Sequence, residues 1–175
     1  MTKKCNLKTP QTKLRQGALT KMENINNDLA SVEGIDLFGE FLFKVDAKGR
    51  VALPSKFRKA LSKDLIVSRN IEDECLYVFT SETFNEWVSQ LFIDKFGGFN
   101  ASSRKHVALR RKLKSRAEMV EIDSGGRINL KQNLRDSVGI KKNVVLIGNT
   151  GYFEIWASER YESMIDEVDL TAFLD

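Results

Sequence analysis

Two stretches of this chain carry one pattern in register, which restricts the fold to something that two copies of a single unit can build. The first reads Glu40-Phe-Leu-Phe-Lys-Val-Asp46-Ala-Lys-Gly49-Arg50-Val-Ala-Leu53-Pro-Ser-Lys-Phe57-Arg58. The second reads Ala117-Glu-Met-Val-Glu-Ile-Asp123-Ser-Gly-Gly126-Arg127-Ile-Asn-Leu130-Lys-Gln-Asn-Leu134-Arg135. Asp, Gly, Arg, the β-branched residues around them, the Leu after the Arg and a second Arg further on keep one spacing. The echo continues where Cys75-Leu-Tyr-Val-Phe79 answers Tyr152-Phe-Glu-Ile-Trp156, and Ser81-Glu-Thr-Phe84 answers Ser158-Glu-Arg-Tyr161. A lone Asp-x-x-Gly-Arg says little. Two in the same hydrophobic setting mark a duplicated module.

Within the first copy, Phe41, Phe43 and Val45 alternate with other residues up to Asp46, the period of a strand. Gly49 can take the left-handed backbone of a tight turn, and Asp46 can hydrogen-bond the turn backbone. Val51 and Leu53 resume the alternation, so Asp-x-x-Gly-Arg sits between two strands. Pro54 then opens a short helix carrying Phe57, Ala60 and Leu61. Strands are expected at 65–67 and 76–79, then a helix from an N-cap at Ser81 with Phe84, Trp87, Val88, Leu91 and Phe92 as an apolar stripe. The second copy repeats the order: strand 117–122, turn 123–127, strand 128–130, a helix to Val138 capped by Gly139, strands 143–148 and 152–156, and a helix from Ser158 with Tyr161, Met164 and Ile165 inward.

This gives an α+β, mainly β, organisation: a polar basic arm (1–37), a first module (38–91), a linker with a basic helix (92–115), a second module (116–165) and an acidic tail (166–175). A module of about fifty residues buries too little surface to stand alone. Two copies solve this as an internal pseudo-dimer whose hairpins intertwine.

Charge is uneven along the 175 residues, although the net value is only +4. Residues 1–21 hold Lys3, Lys4, Lys8, Lys13, Arg15 and Lys21 without an acid, and a second basic run spans Arg104, Lys105, Arg110, Arg111, Lys112, Lys114 and Arg116. That second run reads as a solvated face or a contact to a neighbouring subunit. Acids gather at Glu159, Glu162, Asp166, Glu167, Asp169 and Asp175. No apolar run is long enough to span a membrane, and no apolar stretch follows the N-terminal lysines as a secretory signal requires. Cys5 and Cys75 are too few and too far apart for a disulfide framework or a cysteine metal site. The expectation is a reduced, cytoplasmic protein without metal or cofactor.

Enzyme chemistry finds little purchase. His106 is the only histidine, expected on the surface of the basic helix, and no phosphate loop or nucleophile elbow occurs. Asp123-Ser-Gly125 looks like half of an aspartic-protease site, but the first copy offers Asp46-Ala-Lys48, so two carboxylates sharing a proton are not available. The chemistry that does fit is DNA recognition. An arginine fork can donate to O6 and N7 of guanine together, while a lysine acts as a point charge on phosphate. Arg50 and Arg127 are the candidate base readers and Lys48 the phosphate contact. Asp46, Gly49, Asp123 and Gly126 structure the turns.

The doubled Asp-x-x-Gly-Arg, with Gly39-Glu-Phe upstream, Pro54-x-x-Phe-Arg58 downstream and Val145-Leu-Ile-Gly148 before Phe153-Glu-Ile-Trp156, resembles the MraZ family from about Phe38 to Ile165. The resemblance implies two SpoVT-AbrB-type swapped-hairpin modules closing into a pseudo-dimeric barrel with peripheral helices. It also implies a ring-like homo-oligomer, nucleoid-associated, binding short direct repeats of double-stranded DNA in the promoter of its own operon. The family's principal DNA-contacting arginine maps onto Arg50 and Arg127, with Arg58, Arg135 and Lys56 as candidate further contacts. Two departures stand out: Lys48 is answered by Gly125, and Pro54 by Lys131. The alternative is an AbrB/MazE-like, antitoxin-type module that binds protein, although such proteins carry one module and a long tail.

Overall fold

A computed structural model describes residues 34–174; the basic arm up to residue 33, with Cys5, lies outside the described residues. The alternating segments become strands β1 (Glu40–Lys44), β2 (Arg50–Ala52), β3 (Asp64–Arg69), β4 (Leu76–Phe79), β5 (Ala117–Glu121), β6 (Arg127–Asn129), β7 (Asn143–Gly148) and β8 (Tyr152–Ala157). The helices are α1 (Ser55–Ala60), α2 (Ser81–Phe96), α3 (Arg104–Ser115), α4 (Gln132–Ser137) and α5 (Ser158–Ile165), with a 3-10 turn at Leu170–Phe173. None of these helices is long and apolar enough to cross a membrane.

Six strands form one antiparallel sheet in the order β1-β7-β8-β4-β3-β5, and β2 pairs with β6 in a separate ribbon. Most pairings join one half of the sequence to the other: β1 with β7, β2 with β6, β3 with β5 and β4 with β8. The arrangement is pseudo-two-fold. Its axis passes between Val51 and Ile128 in the ribbon and between Tyr77 and Glu154 in the sheet, where equivalent strands face each other in self-matching register. The closed barrel expected from the resemblance is not what forms. β1 and β5 are the two edges of the sheet and do not pair with each other, because the short β2 and β6 leave the sheet to pair together.

The main core draws equally on both halves. Val51, Leu53, Phe57, Leu65, Val67, Ile128, Leu130, Leu134, Val144, Leu146, Phe153 and Ile155 form one buried cluster. Phe57 of α1 meets Phe41 edge-on at 5.4 Å and lies 5.2 Å from Phe153. A second cluster gathers Phe79, Phe84, Val88 and Phe92 under α2, which packs on β3 and β4. Tyr161 of α5 donates to Glu40 on β1 at 3.0 Å, another tie between the halves. Cys75 is fully buried, and burial pushes its thiol pKa up, so it serves as a small apolar filler.

Local corrections follow from side-chain competition. The N-cap of α2 is Thr80, not Ser81, because Thr80 and Thr83 satisfy each other's backbone N–H groups. Ile165 points outward, since α5 ends there and only Tyr161 and Met164 reach the core cluster beneath it. His106 is no bare surface residue: its ring lies 4.5 Å from Phe96 and 5.5 Å from Phe92, and its Nδ1 accepts from the Asn100 N–H at 3.1 Å. Residues 35–37, placed in the arm by the sequence reading, are tied to the β7–β8 turn. Leu37 donates to the Asn149 carbonyl at 3.2 Å and is buried.

Candidate nucleic-acid interface

The two Asp-x-x-Gly-Arg segments fold into the same turn. In the first, the Asp46 N–H donates to the Arg50 carbonyl and the Gly49 N–H to the Asp46 carbonyl, both at 2.9 Å. Asp46 Oδ1 accepts from the Lys48 and Arg50 N–H groups at 2.9 Å. Its Oδ2 accepts from Arg50 Nε at 2.8 Å and faces Nη2 at 2.7 Å. In the second, Asp123 Oδ1 accepts from the Gly125 and Arg127 N–H groups at 2.8 and 3.0 Å, and Oδ2 lies 3.0 Å from both Nε and Nη2 of Arg127. Gly49 and Gly126 stand at φ +81° and +73°, the left-handed region that glycine enters without a Cβ clash.

Each aspartate is therefore spent on its own turn. Hydrogen bonding from the Arg50 backbone holds the Asp46 carboxyl below the usual carboxylate range, and the Arg127 guanidinium does the same for Asp123. The gain for function is geometric. With Nε and one Nη tied inward, each guanidinium is held in a fixed plane and keeps its remaining N–H donors for an outside acceptor.

The ribbon brings the two turns together. Val51 opposes Ile128 at its centre, and both are fully buried. Strand alternation then places Arg50, Ala52, Arg127 and Asn129 on the other face. Arg50 stands opposite Asn129 and Ala52 opposite Arg127. The Gly126 carbonyl accepts from the Leu53 N–H and the Gly49 carbonyl from the Leu130 N–H, each at 2.9 Å, so each turn is stitched to the other strand's exit. Arg50 Nη1 comes within 3.8 Å of Asp123 Oδ2. The sequence suggests two separate tips, and the structure makes them one face. Asn129 is a polar neighbour that sequence reading missed; the signal was available in its alternation with Arg127 on β6.

The remaining candidates divide. Lys48 is exposed at the first turn, and Gly125 leaves the second without a matching cation. Lys56 is exposed on α1. Arg58 and Arg135 pack across the pseudo-axis: a Cβ on Gly126 would stand 2.6 Å from Arg58 Cδ, and one on Gly49 would stand 3.3 Å from Arg135 Nη2. Arg135 also donates through Nε to the Leu130 carbonyl at 3.0 Å. These two side chains buttress the opposite half's turn. Lys131, the cation that replaces Pro54, lies 2.8 Å from Glu118, so its charge is locally answered.

Comparison with known proteins gives this geometry its context. The family model "MraZ protein, putative antitoxin-like" matches residues 37–106 and 113–173. A "Transcriptional regulator MraZ" from Symbiobacterium thermophilum is 40% identical over 129 residues, covering 74% of this chain and 89% of that protein. Proteins of the same name from Ligilactobacillus salivarius (35% identical, 75% and 87% covered) and Treponema denticola (31%, 74% and 87%) match over the same extent. With both halves and the paired turns inside the matched segments, the chain belongs to the MraZ family.

Proposed function

We propose that this protein is a sequence-specific DNA-binding transcriptional regulator that reads short direct repeats in the promoter of its own operon through Arg50 and Arg127. The observation that carries the reading is the pair of aspartate-fixed guanidiniums on one face of the β2–β6 ribbon. A two-stranded ribbon fits the major groove, where a pre-oriented arginine fork discriminates guanine. Lys48 sits beside Arg50 as a phosphate contact, with Lys56 as a further one on α1. Arg58 and Arg135 act mainly by supporting the turns. The regulator names of the relatives support a DNA partner. The two halves are read as SpoVT-AbrB-type modules, and the chain as a cytoplasmic, nucleoid-associated homo-oligomer with a ring-like assembly. Each copy would then add one weak contact to a repeated target, and the contacts combine through effective concentration.

A mobility-shift assay on the protein's own upstream DNA, with scrambled competitor and a salt series, tests this. Specific, salt-sensitive binding by the wild type is expected, and its loss in the Arg50→Ala/Arg127→Ala double variant with unchanged circular dichroism. Equal binding of promoter and scrambled DNA by well-folded wild type would overturn the reading in favour of a protein partner of the antitoxin type.

A further inference from the structure

Two exposed surfaces of this chain complement each other and do not meet within it. The first is on the α2–α3 pair. Helix α3 carries Arg104, Lys105, Arg110, Arg111, Lys112 and Lys114 and no acid, and none of these forms an ion pair among the described residues. Its cations are held in place instead by rings: Lys105 over Phe96 at 5.2 Å and Arg110 over Phe99 at 3.7 Å. Lys105, Leu109 and Lys112 fall on one helical face. Leu109 is exposed there, and Ile93 and Phe96 are exposed on the neighbouring α2. An apolar centre with a cationic rim results.

The second surface is the C-terminal segment from Glu159 onward. Glu159, Glu162, Asp166, Glu167 and Asp169 are exposed and unpaired among the described residues. Arg160, the one cation there, donates to the Asp73 carbonyl. Between the acids stand Ile165, Val168, Leu170, Phe173 and Leu174, all exposed, with Phe173 at 87%. The segment is structured: Asp169 caps the 3-10 turn through the Thr171 N–H at 2.9 Å. An ordered strip of bare apolar side chains interleaved with acids needs a covering partner.

The geometry points to a head-to-tail interface in which the acidic, apolar C-terminal segment of one copy docks on the α2–α3 face of the next. Charge complementarity selects this occupant. A nucleic acid would satisfy the cations of α3, but it would leave Ile93, Phe96 and Leu109 bare. Because the two patches differ, the contact is heterologous, and repeating it yields a ring or an open filament. The inference rests on the self-assembly in the reading above and adds the surfaces that carry it.

The test is sedimentation velocity of the full chain at about 0.1 M salt, where the screening length is about 10 Å, and again at high salt. Three variants are compared with wild type, each checked by circular dichroism: Lys105→Glu/Lys112→Glu, Asp166→Lys/Glu167→Lys, and Phe173→Ser. Wild type assembles, and assembly weakens with salt. Each charge-reversed protein associates about tenfold or more weakly. An equimolar mixture of the two recovers assembly, because the reversed segment then meets the reversed helix. Phe173→Ser weakens assembly without altering charge, which keeps the proposal decidable if a reversal misfolds. A monomeric wild type, reversals without effect (as docking on the N-terminal lysines would give), or no recovery on mixing overturns it. So does a Lys105→Glu/Lys112→Glu protein that assembles normally but binds promoter DNA less well, since α3 would then be a phosphate-contacting surface. Failure of promoter binding with assembly intact would instead strike the DNA reading and leave this interface standing.

Discussion

Asp46 and Asp123 each accept two backbone N–H groups and one guanidinium, which makes the carboxylate form part of the turn. Their pKa values lie below the ordinary carboxylate range in the folded protein. A depressed pKa contributes stability that is present above the unfolded value and is lost as pH falls through the folded one. Thermal stability should therefore decline on acidification below the ordinary carboxylate range, less steeply in Asp123→Asn. Carboxyl NMR titration should place both midpoints below those of the exposed aspartates, and ordinary midpoints would refute the turn's dependence on charge. The arginines they hold should differ in weight. Each bidentate arginine–guanine contact is worth about 1–3 kcal/mol. Arg50 has Lys48 beside it, whereas Arg127 has Gly125, and Lys131 is already paired with Glu118. Arg50→Ala should weaken promoter binding more than Arg127→Ala in fluorescence anisotropy; equal losses would show the two ends of the ribbon to be equivalent.

Among the elements, α1 shows how the halves depend on each other. Phe57 is fully buried between Phe41 of its own half and Phe153 of the other. Phe57→Ala should cost about 3–5 kcal/mol in urea unfolding, as a single transition rather than two, because no separate core survives it. Most elements could be read from the sequence where periodicity is local. Strands β4 and β7 appear at their expected bounds because Leu76–Phe79 and Val144–Ile147 are apolar runs flanked by turn residues. The cap of α2 was misread because Thr80, Ser81 and Thr83 all carry capping chemistry, and only their mutual hydrogen bonds decide among them. The arginines of the candidate site were legible one by one through duplication. Their shared face was not, because β2 pairs with a strand that lies in the other half of the sequence. The open sheet was equally out of reach, since whether β1 and β5 meet depends on the twist and packing of all six strands.

The whole molecule is a single cooperative object made from exchanged halves. Residues 34–100 alone retain only the β3–β4 pairing; β1, β2 and β4 lose β7, β6 and β8. That fragment should be unfolded as a monomer and should gain structure only by pairing with a second copy of itself. Circular dichroism across a concentration series with sedimentation equilibrium distinguishes the two, and a folded monomeric fragment would contradict the exchanged design. The near-symmetry around Val51 and Ile128 has a last consequence. A perfectly two-fold reader cannot tell a site from its reverse complement. In this chain Lys48 stands where the other half has Gly125, and Lys131 where the other half has Pro54. Bound to a duplex, such a ribbon has a front and a back, so successive copies can all travel the same way along the helix. A message written head to tail can be read only by a reader with that sense of direction.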